Sequence, residues 1–217
     1  MKHINQFITE YIIKKKLDKP INSETTNYLY HPETKPELST IIRKLLKDNQ
    51  TDLNVIDVSK ITNMSDLFSQ INENKKITNI DISEWDVSNV TNMENMFFGC
   101  SKFNCDLSLW DVSKVENMDS MFAFCTKFNC NLSKWNVSTN TTDMGAMFRN
   151  CSKFDSDLSN WDVSNVKHMD EMFVNCSKFK GKGLENWDVS NIEPTNMSDM
   201  FDNCKSLKKP SWYNGNT

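Results

Sequence analysis

The sequence predicts an α/β repeat solenoid of about six coils, with a parallel strand face, short helices behind it and a helical N-terminal cap. Three observations lead to this fold. A single unit recurs along most of the chain, its first half has the apolar spacing of a strand, and its second half has the apolar spacing of a helix. One unit cannot bury both of its apolar edges, whereas stacked units cover each other.

The repeat is marked by tryptophans that follow each other at intervals of 25, 25, 26 and 26 residues. They are Trp85, Trp110, Trp135, Trp161 and Trp187. A sixth and weaker copy comes first, beginning at Leu53 with Ile56 in the tryptophan position. The interval from Ile56 to Trp85 is 29 residues, which indicates a small insertion at residues 72–76. Regular spacing of this kind is typical of repeat proteins.

Each copy has two halves with different apolar spacing. The first half reads L-x-x-W-x-V, as at Leu107, Trp110 and Val112, and its last two apolar residues are two positions apart, as on one face of a strand. This is the apolar skeleton of a leucine-rich-repeat strand with tryptophan in a leucine position. The second half reads M-x-x-M-F-x-x-C-x-x-F, as from Met93 to Phe103, which is one stripe of a helix.

A longer pattern within the copies resembles a known family. The segment W-D-V-S-N-V-T-N-M-x-x-M-F-x-x-C, which begins at Trp85, resembles the 26-residue bacterial surface-protein repeat of the BspA-like leucine-rich-repeat proteins. Matching units extend from Leu53 to about Leu207, and the segment from His31 resembles the lead-in that often precedes such arrays. The resemblance implies a leucine-rich-repeat-like solenoid, a place on the cell surface, and a role in adhesion or in binding host proteins.

The chain divides into three parts. They are a helical N-terminal segment and cap at residues 1–50, the solenoid at residues 51–207, and a C-terminal cap or tail at residues 208–217. A capping box of Thr34 and Glu37 predicts a helix over residues 37–48 that covers the first coil. At the other end, Trp212 or Tyr213 is expected to cover the last coil.

The first residues of the chain predict an additional amphipathic helix. Its apolar stripe consists of Ile4, Phe7, Ile8, Tyr11 and Ile12. Besides a second cap, this helix could dock on a membrane surface or on a partner, so membrane contact is expected only through residues 1–19. The stripe is interrupted by polar residues and is not followed by a small-residue cleavage site, so it does not have the pattern of an export signal. This favours an intracellular location, whereas the family resemblance favours the cell surface.

Composition excludes several classes of function. The 217 residues include 25 basic and 29 acidic side chains, a net charge of −4, which argues against nucleic acid as the main partner. No segment approaches the roughly 18 consecutive apolar residues of a membrane-spanning helix. The three histidines, His3, His31 and His168, are far apart, and no catalytic or nucleotide-binding motif is present. The sequence therefore predicts a chain that is not an enzyme and that needs no cofactor.

The seven cysteines are an odd number, so they cannot all pair within one chain. Five of them occupy one position of the repeat and are predicted to be buried in the core: Cys100, Cys125, Cys151, Cys176 and Cys204. Cys105 and Cys130 occupy a second position. No C-x-x-C pair is present, so we predict no metal site, and the alternative is a zinc site formed by Cys100, Cys105, Cys125 and Cys130.

An acidic residue follows the tryptophan position in most copies. This column comprises Asp57, Asp86, Asp111, Asp162 and Asp188, with Asn136 in the remaining copy. Because these side chains lie between two inward-pointing residues, they are expected to face outward and to repel one another. Three interpretations follow: local hydrogen bonds in a turn beside the nearby serines, a basic partner protein, or bound Ca²⁺.

The residue before each tryptophan varies from copy to copy. It is Glu84, Leu109, Lys134, Asn160 or Asn186, and Val55 in the weaker first copy. A variable column beside the acidic column is where binding specificity would lie. The predicted partner-binding residues are Glu84, Asp86, Leu109, Asp111, Lys134, Asn136, Asn160, Asp162, Asn186 and Asp188. The sequence thus favours a protein–protein interaction module, with a carbohydrate- or cation-dependent adhesin or a membrane-associated effector as alternatives.

Overall fold

The computed structural model of the chain describes residues 28–71, 77–137 and 140–214. The predicted amphipathic helix within residues 1–19 lies outside these ranges. The part of the chain that is described contains one α-helix, α1 (Lys35–Lys47), and two 3-10 helices, Leu184–Asn186 and Pro194–Met197. None of its helices is long and apolar enough to span a membrane.

The predicted strand of each copy is wrong. In the L-x-x-W segment, the backbone N–H of Trp110 donates to the carbonyl oxygen of Leu107 at 3.1 Å, so this segment is a tight turn and not extended chain. A second turn follows, closed by the N–H of Val115 on the carbonyl oxygen of Val112 at 3.0 Å. Over the described ranges no strand or sheet forms, and the β-bridges between copies are isolated parallel bridges such as Asn92 to Asn117.

The predicted helix of each copy is also wrong. The N–H of Met96 donates to the carbonyl oxygen of Met93 across a turn, and Asn95 has a φ of +53°, which ends any α-helix at that point. A second turn of the same kind is closed by Cys100 on Phe97, with Gly99 at a φ of +73°. Successive turns with one left-handed residue each thus replace the helix, and the predicted α/β solenoid with a parallel strand face is incorrect.

The copies nevertheless stack on each other in order and in register. The N–H groups of Met93, Asn95 and Phe97 each donate at 2.9 Å to a carbonyl oxygen of the next copy. The same donors recur in each later copy except the last, so every unit that has a successor is tied to it by a row of backbone hydrogen bonds. The turns leave alternate N–H groups without an intracopy acceptor, and stacking supplies one.

Stacked aromatic rings fill the interior. The ring centroids of Phe97, Phe122, Phe148 and Phe173 follow each other at 5.5, 5.8 and 5.6 Å, and their planes are within 13° of parallel. A second row begins at Phe103 and packs against the first, with centroids as close as 4.0 Å within one copy. Met, Val, Leu and Cys side chains complete a continuous core.

Side chains from outside the repeats pack on both ends of the stack. At the first copy, α1 begins after Thr34, whose side chain accepts a hydrogen bond from the N–H of Glu37, and its apolar face, which includes Leu38 and Ile42, is buried in the core. At the last copy, Trp212 stacks on Trp187 with ring centroids 6.5 Å apart. The apolar end faces of the stack are therefore shielded.

Candidate functional site

The ten predicted partner-binding residues are all exposed and lie along one edge of the stack. We call the surface that they form the tryptophan-flanking edge. Its backbone is held from behind, because the indole of each tryptophan points inward and its Nε1 donates to a carbonyl oxygen of the preceding copy at 2.8–3.4 Å. The residues on either side of the tryptophan are thereby turned toward solvent. The structure brings these ten residues together, and their role in binding stays a prediction.

The first copy departs from this arrangement. Val55, in the position before Ile56, is buried, because the backbone N–H of Leu29 donates to its carbonyl oxygen at 2.8 Å and residues 28–31 cover it. Asp57 is partly covered by His31, whose Nδ1 lies 3.2 Å from its carboxylate. The exposed edge therefore begins at Glu84.

The aspartates of the acidic column each make a local hydrogen bond with the serine two positions later. Oδ1 of Asp111 accepts from the backbone N–H of Ser113 at 3.0 Å, and Oδ1 of Asp162 accepts from the N–H and the hydroxyl of Ser164 at 3.1 and 2.7 Å. These serine hydrogen bonds hold the pKa of both carboxyl groups below the usual range. Of the three interpretations, the local turn is therefore the one that the geometry bears out, and it uses one carboxylate oxygen.

A second acidic column, which the sequence analysis missed, runs beside the first. It consists of Asp81, Asp106, Asn131 and Asp157, which lie four residues before Trp85, Trp110, Trp135 and Trp161. Each accepts a backbone hydrogen bond from the serine two positions later, as Asp106 does from Ser108 at 3.0 Å. Lys182, together with Ser159, lowers the pKa of Asp157 to about 2. The repeated sequence motif D-x-S or N-x-S is the signal that could have identified this column.

The cysteine column is buried, as predicted, and four of its five thiols also have a hydrogen-bond partner. The Sγ atoms of Cys125, Cys151, Cys176 and Cys204 lie 2.9–3.0 Å from the carbonyl oxygen of a core phenylalanine in the preceding copy. Burial raises the pKa of Cys100 to about 12, so this thiol stays protonated. Within the described ranges no group of three or more candidate ligands could hold a metal ion, so the zinc alternative has no ligand set there.

A cluster of carboxylates lies around Gly145, in a different part of the coil. A side-chain carbon added at Gly145 would lie 2.8 Å from Oδ2 of Asp119 and 3.5 Å from Oδ1 of both Asp143 and Asp170. Burial, followed by repulsion from Asp143, Glu94 and Asp170, raises the pKa of Asp119 to about 6. These residues come from three copies, so the sequence of one copy does not reveal the cluster.

The tryptophan column does not form a surface on which sugars could stack. Trp85, Trp110, Trp135, Trp161 and Trp187 are at most 6% exposed. The large apolar side chains that are exposed are instead Phe98, Leu109 and Phe124, of which Leu109 lies on the tryptophan-flanking edge. The membrane-associated alternative depends on residues 1–19, outside the described part of the chain.

Comparison with known proteins places the repeats in a family. No curated protein and no solved structure matches the chain. One family matches twice, over residues 37–142 and again over residues 139–214, which together include most of α1 and all six copies of the unit. Two consecutive matches within one chain agree with its internal repetition. The chain belongs to the family described as Mycoplasma protein of unknown function, DUF285.

Proposed function

We propose that the chain is a non-enzymatic protein-binding module that contacts a partner protein through the tryptophan-flanking edge. The side chains behind this edge are nearly identical from copy to copy, whereas the column before the tryptophan contains Glu84, Leu109, Lys134, Asn160 and Asn186. A rigid backbone with varied side chains is suited to specific recognition, because little conformational entropy is lost on binding.

The observation that carries the proposal is the exposure of Leu109. Its side chain is 77% exposed, and Glu84 and Lys134 precede the tryptophan in the two neighbouring copies. An apolar side chain surrounded by polar and charged neighbours is the arrangement found at the centre of many protein interfaces. Neither the stacking nor the turn requires an apolar residue at this position, since Glu84 and Lys134 occupy it in the adjacent copies.

The charge of the edge favours a basic partner surface. Asp86, Asp111, Asp162 and Asp188 are exposed along one column, and their hydrogen bonds with serine fix the direction of each carboxylate. Fixed like charges repel each other, and a partner with lysine or arginine side chains would relieve that repulsion. Such complementarity mainly increases the association rate and the specificity of binding.

The resemblance of the W-D-V-S-N-V pattern to BspA-like repeats supports a more specific setting. In this setting the module acts on a cell surface and takes part in adhesion, with a protein of another cell or of a host as its partner. The adhesion would depend on the charged edge and on Leu109, since the tryptophans are buried.

The test removes the negative charge of the acidic column but keeps the hydrogen bond between each side chain and the nearby serine. In Asp86→Asn/Asp111→Asn/Asp162→Asn, each amide oxygen can still accept the serine hydrogen bond, as Asn131 does from Ser133 at 3.0 Å. A partner would first be captured from cells with the wild-type chain and identified by mass spectrometry. Titration calorimetry with the purified partner should then show binding weakened about tenfold or more by the triple variant and by Leu109→Asn.

The control is the neighbouring acidic column. Asp81→Asn/Asp106→Asn/Asp157→Asn removes the same charge from the same kind of turn, but it leaves the tryptophan-flanking edge intact. This control should bind the partner with nearly wild-type affinity. Equal affinity for all variants would show that the partner binds elsewhere.

A further inference from the structure

A row of lysines runs along a different edge of the stack. Lys102, Lys127, Lys153 and Lys178 occupy the same position in four consecutive copies, and all four are exposed. Each lies in the turn that joins the buried cysteine to the second core phenylalanine, as in the turn closed by Phe103 on Cys100 at 2.9 Å. We call these four residues the lysine row.

The spacing of the lysine row is set by the stacking of the copies. Core rings in these copies are 5.5–5.8 Å apart. The residue just before each lysine is tied to the preceding copy, because the hydroxyl groups of Thr126, Ser152 and Ser177 donate to carbonyl oxygens there at 3.1–3.4 Å. The result is a regular row of backbone positions, each of which carries one lysine side chain.

The fold itself does not account for lysine at this position. The aspartates of the two columns have a structural role, because they accept hydrogen bonds from serine N–H groups. Lys180 and Lys182 also have partners, since they form ion pairs with Asp155 and Asp157. No ion pair between described residues includes a member of the lysine row. Stacked like charges destabilise neighbouring segments, and any small polar residue would suit the corner of a turn.

An exposed aromatic pair lies next to the first half of the row. Phe98 and Phe124 are 41% and 40% exposed, with ring centroids 5.3 Å apart, and they precede Lys102 and Lys127 by one turn. Phe124 has a φ of +64°, a left-handed conformation in which a bulky side chain is strained. The other tryptophan-containing copies place glycine or asparagine at this position, so neither packing nor the backbone favours this phenylalanine.

We propose that the lysine row and the Phe98–Phe124 pair bind a linear acidic polysaccharide. Each copy contributes one lysine, and the copies follow each other at 5.5–5.8 Å at their core rings, which is close to the length of one hexose unit in an extended chain. Successive acidic sugars can therefore each meet a lysine side chain of a different copy. The exposed ring faces provide apolar surface against which the C–H face of a sugar can pack. A single file of charges suits a linear polymer better than the two-dimensional surface of an anionic bilayer.

The net charge of −4 belongs to the whole chain, and it does not prevent binding at the lysine row, which places four ammonium groups at one repeat position. Charges separated by more than about 10 Å are largely screened at moderate salt. The inference is independent of the tryptophan-flanking edge, because substitutions in one of the two surfaces leave the residues of the other unchanged.

The experiment uses the full chain and a fluorescently labelled heparin dodecasaccharide, with fluorescence anisotropy as the measurement. The wild type should bind, and its affinity should fall as salt is added. Lys127→Gln/Lys153→Gln should weaken binding on the order of tenfold, whereas Lys127→Arg/Lys153→Arg should retain it. The matched control is Lys44→Gln/Lys47→Gln, which removes the same charge from exposed positions on α1 and should bind as the wild type does.

A second variant tests the aromatic pair. Phe124→Asn introduces the residue found in the next two copies, so it should not disturb the fold, yet it should weaken heparin binding several-fold. The proposal is overturned if heparin does not bind, or if Lys44→Gln/Lys47→Gln weakens binding as much as the row variant does. It is also overturned if the lysine row captures poly(U) or phosphatidylserine vesicles in preference to heparin.

Discussion

The indole Nε1 of Trp135 donates a hydrogen bond of 2.8 Å to the carbonyl oxygen of Leu107, one copy earlier in the stack. The equivalent bond recurs at Trp212, which donates to Leu184 at 2.7 Å at the far end of the stack. The tryptophan thus joins two copies through a polar bond inside an apolar core. Its replacement by phenylalanine removes that bond together with part of the buried ring system.

We expect Trp135→Phe to lower the free energy of unfolding by about 2–4 kcal/mol, because it removes a buried hydrogen bond and leaves a cavity. Urea denaturation followed by circular dichroism would measure the change. Trp212→Phe should cost less, since Trp212 is only partly buried and the surrounding end of the stack can relax. Equal losses for both variants would contradict the role assigned to burial.

The cysteines should differ sharply in reactivity. Cys105 is half-buried, whereas the remaining six are at most 9% exposed. Since only the thiolate reacts and burial raises the pKa of these thiols, alkylation of the native protein should be slow and confined to Cys105. Mass spectrometry after iodoacetamide treatment should find one modified residue natively and seven after denaturation. Cys105→Ser should abolish the native reaction, and rapid labelling of Cys151 would contradict the structure.

The raised pKa of Asp119 makes stability depend on pH. The folded chain holds the proton up to about pH 6, whereas the unfolded chain releases it near 3.8, so the free energy of unfolding falls as pH rises between these values. Asp119→Asn removes this effect. It should raise the melting temperature above pH 6 by an amount equivalent to about 1 kcal/mol after solvent screening, and it should have little effect below pH 4.

Scanning calorimetry at several pH values would reveal this pattern. The control is Asp86→Asn, because Asp86 lies on the tryptophan-flanking edge, away from Glu94, Asp143 and Asp170. A stabilisation by Asp119→Asn that is the same at all pH values would argue against titration as its cause.

Alanine substitutions at two glycines would distinguish the energetic cost of backbone strain from that of steric overlap. Gly99 and Gly183 have φ values of +73° and +96°, but a side-chain carbon would meet nothing within 4 Å at Gly99, whereas at Gly183 it would overlap the backbone of Ser159. Gly99→Ala should therefore cost about 1 kcal/mol, from strain alone. Gly183→Ala should lower the free energy of unfolding by several times more, since the copies themselves must move apart. Thermal denaturation of the two variants would show the difference.

Much of the architecture could be predicted from the sequence. The interval between tryptophans predicts the number and the boundaries of the copies. The Trp, Met, Phe and Cys side chains at the predicted apolar positions are buried. The helix predicted over residues 37–48 is α1. The exposure of the predicted binding residues also follows, because Trp110 and its equivalents must point inward and their neighbours outward.

The secondary structure could not be predicted, for a physical reason. A spacing of i, i+3, i+4 and i+7, as from Met93 to Cys100, fits one stripe of an α-helix, but consecutive tight turns also direct every third or fourth residue inward. The deciding feature is a left-handed residue such as Asn95 or Gly99. Asparagine and aspartate adopt this conformation but also adopt others, so their presence in the sequence does not reveal it. The carboxylate cluster around Gly145 was likewise hidden, because it requires three copies in contact.

The direction of the backbone bonds has a consequence for how the protein can change in length. Each copy offers donors such as the N–H of Phe97 to its successor and receives the thiol of Cys125 in return, so the contact between any two adjacent units has the same chemistry. Insertion or deletion of a whole 25-residue unit therefore recreates a contact that already exists. Gene duplication can lengthen or shorten such a molecule stepwise while its two end caps stay unaltered.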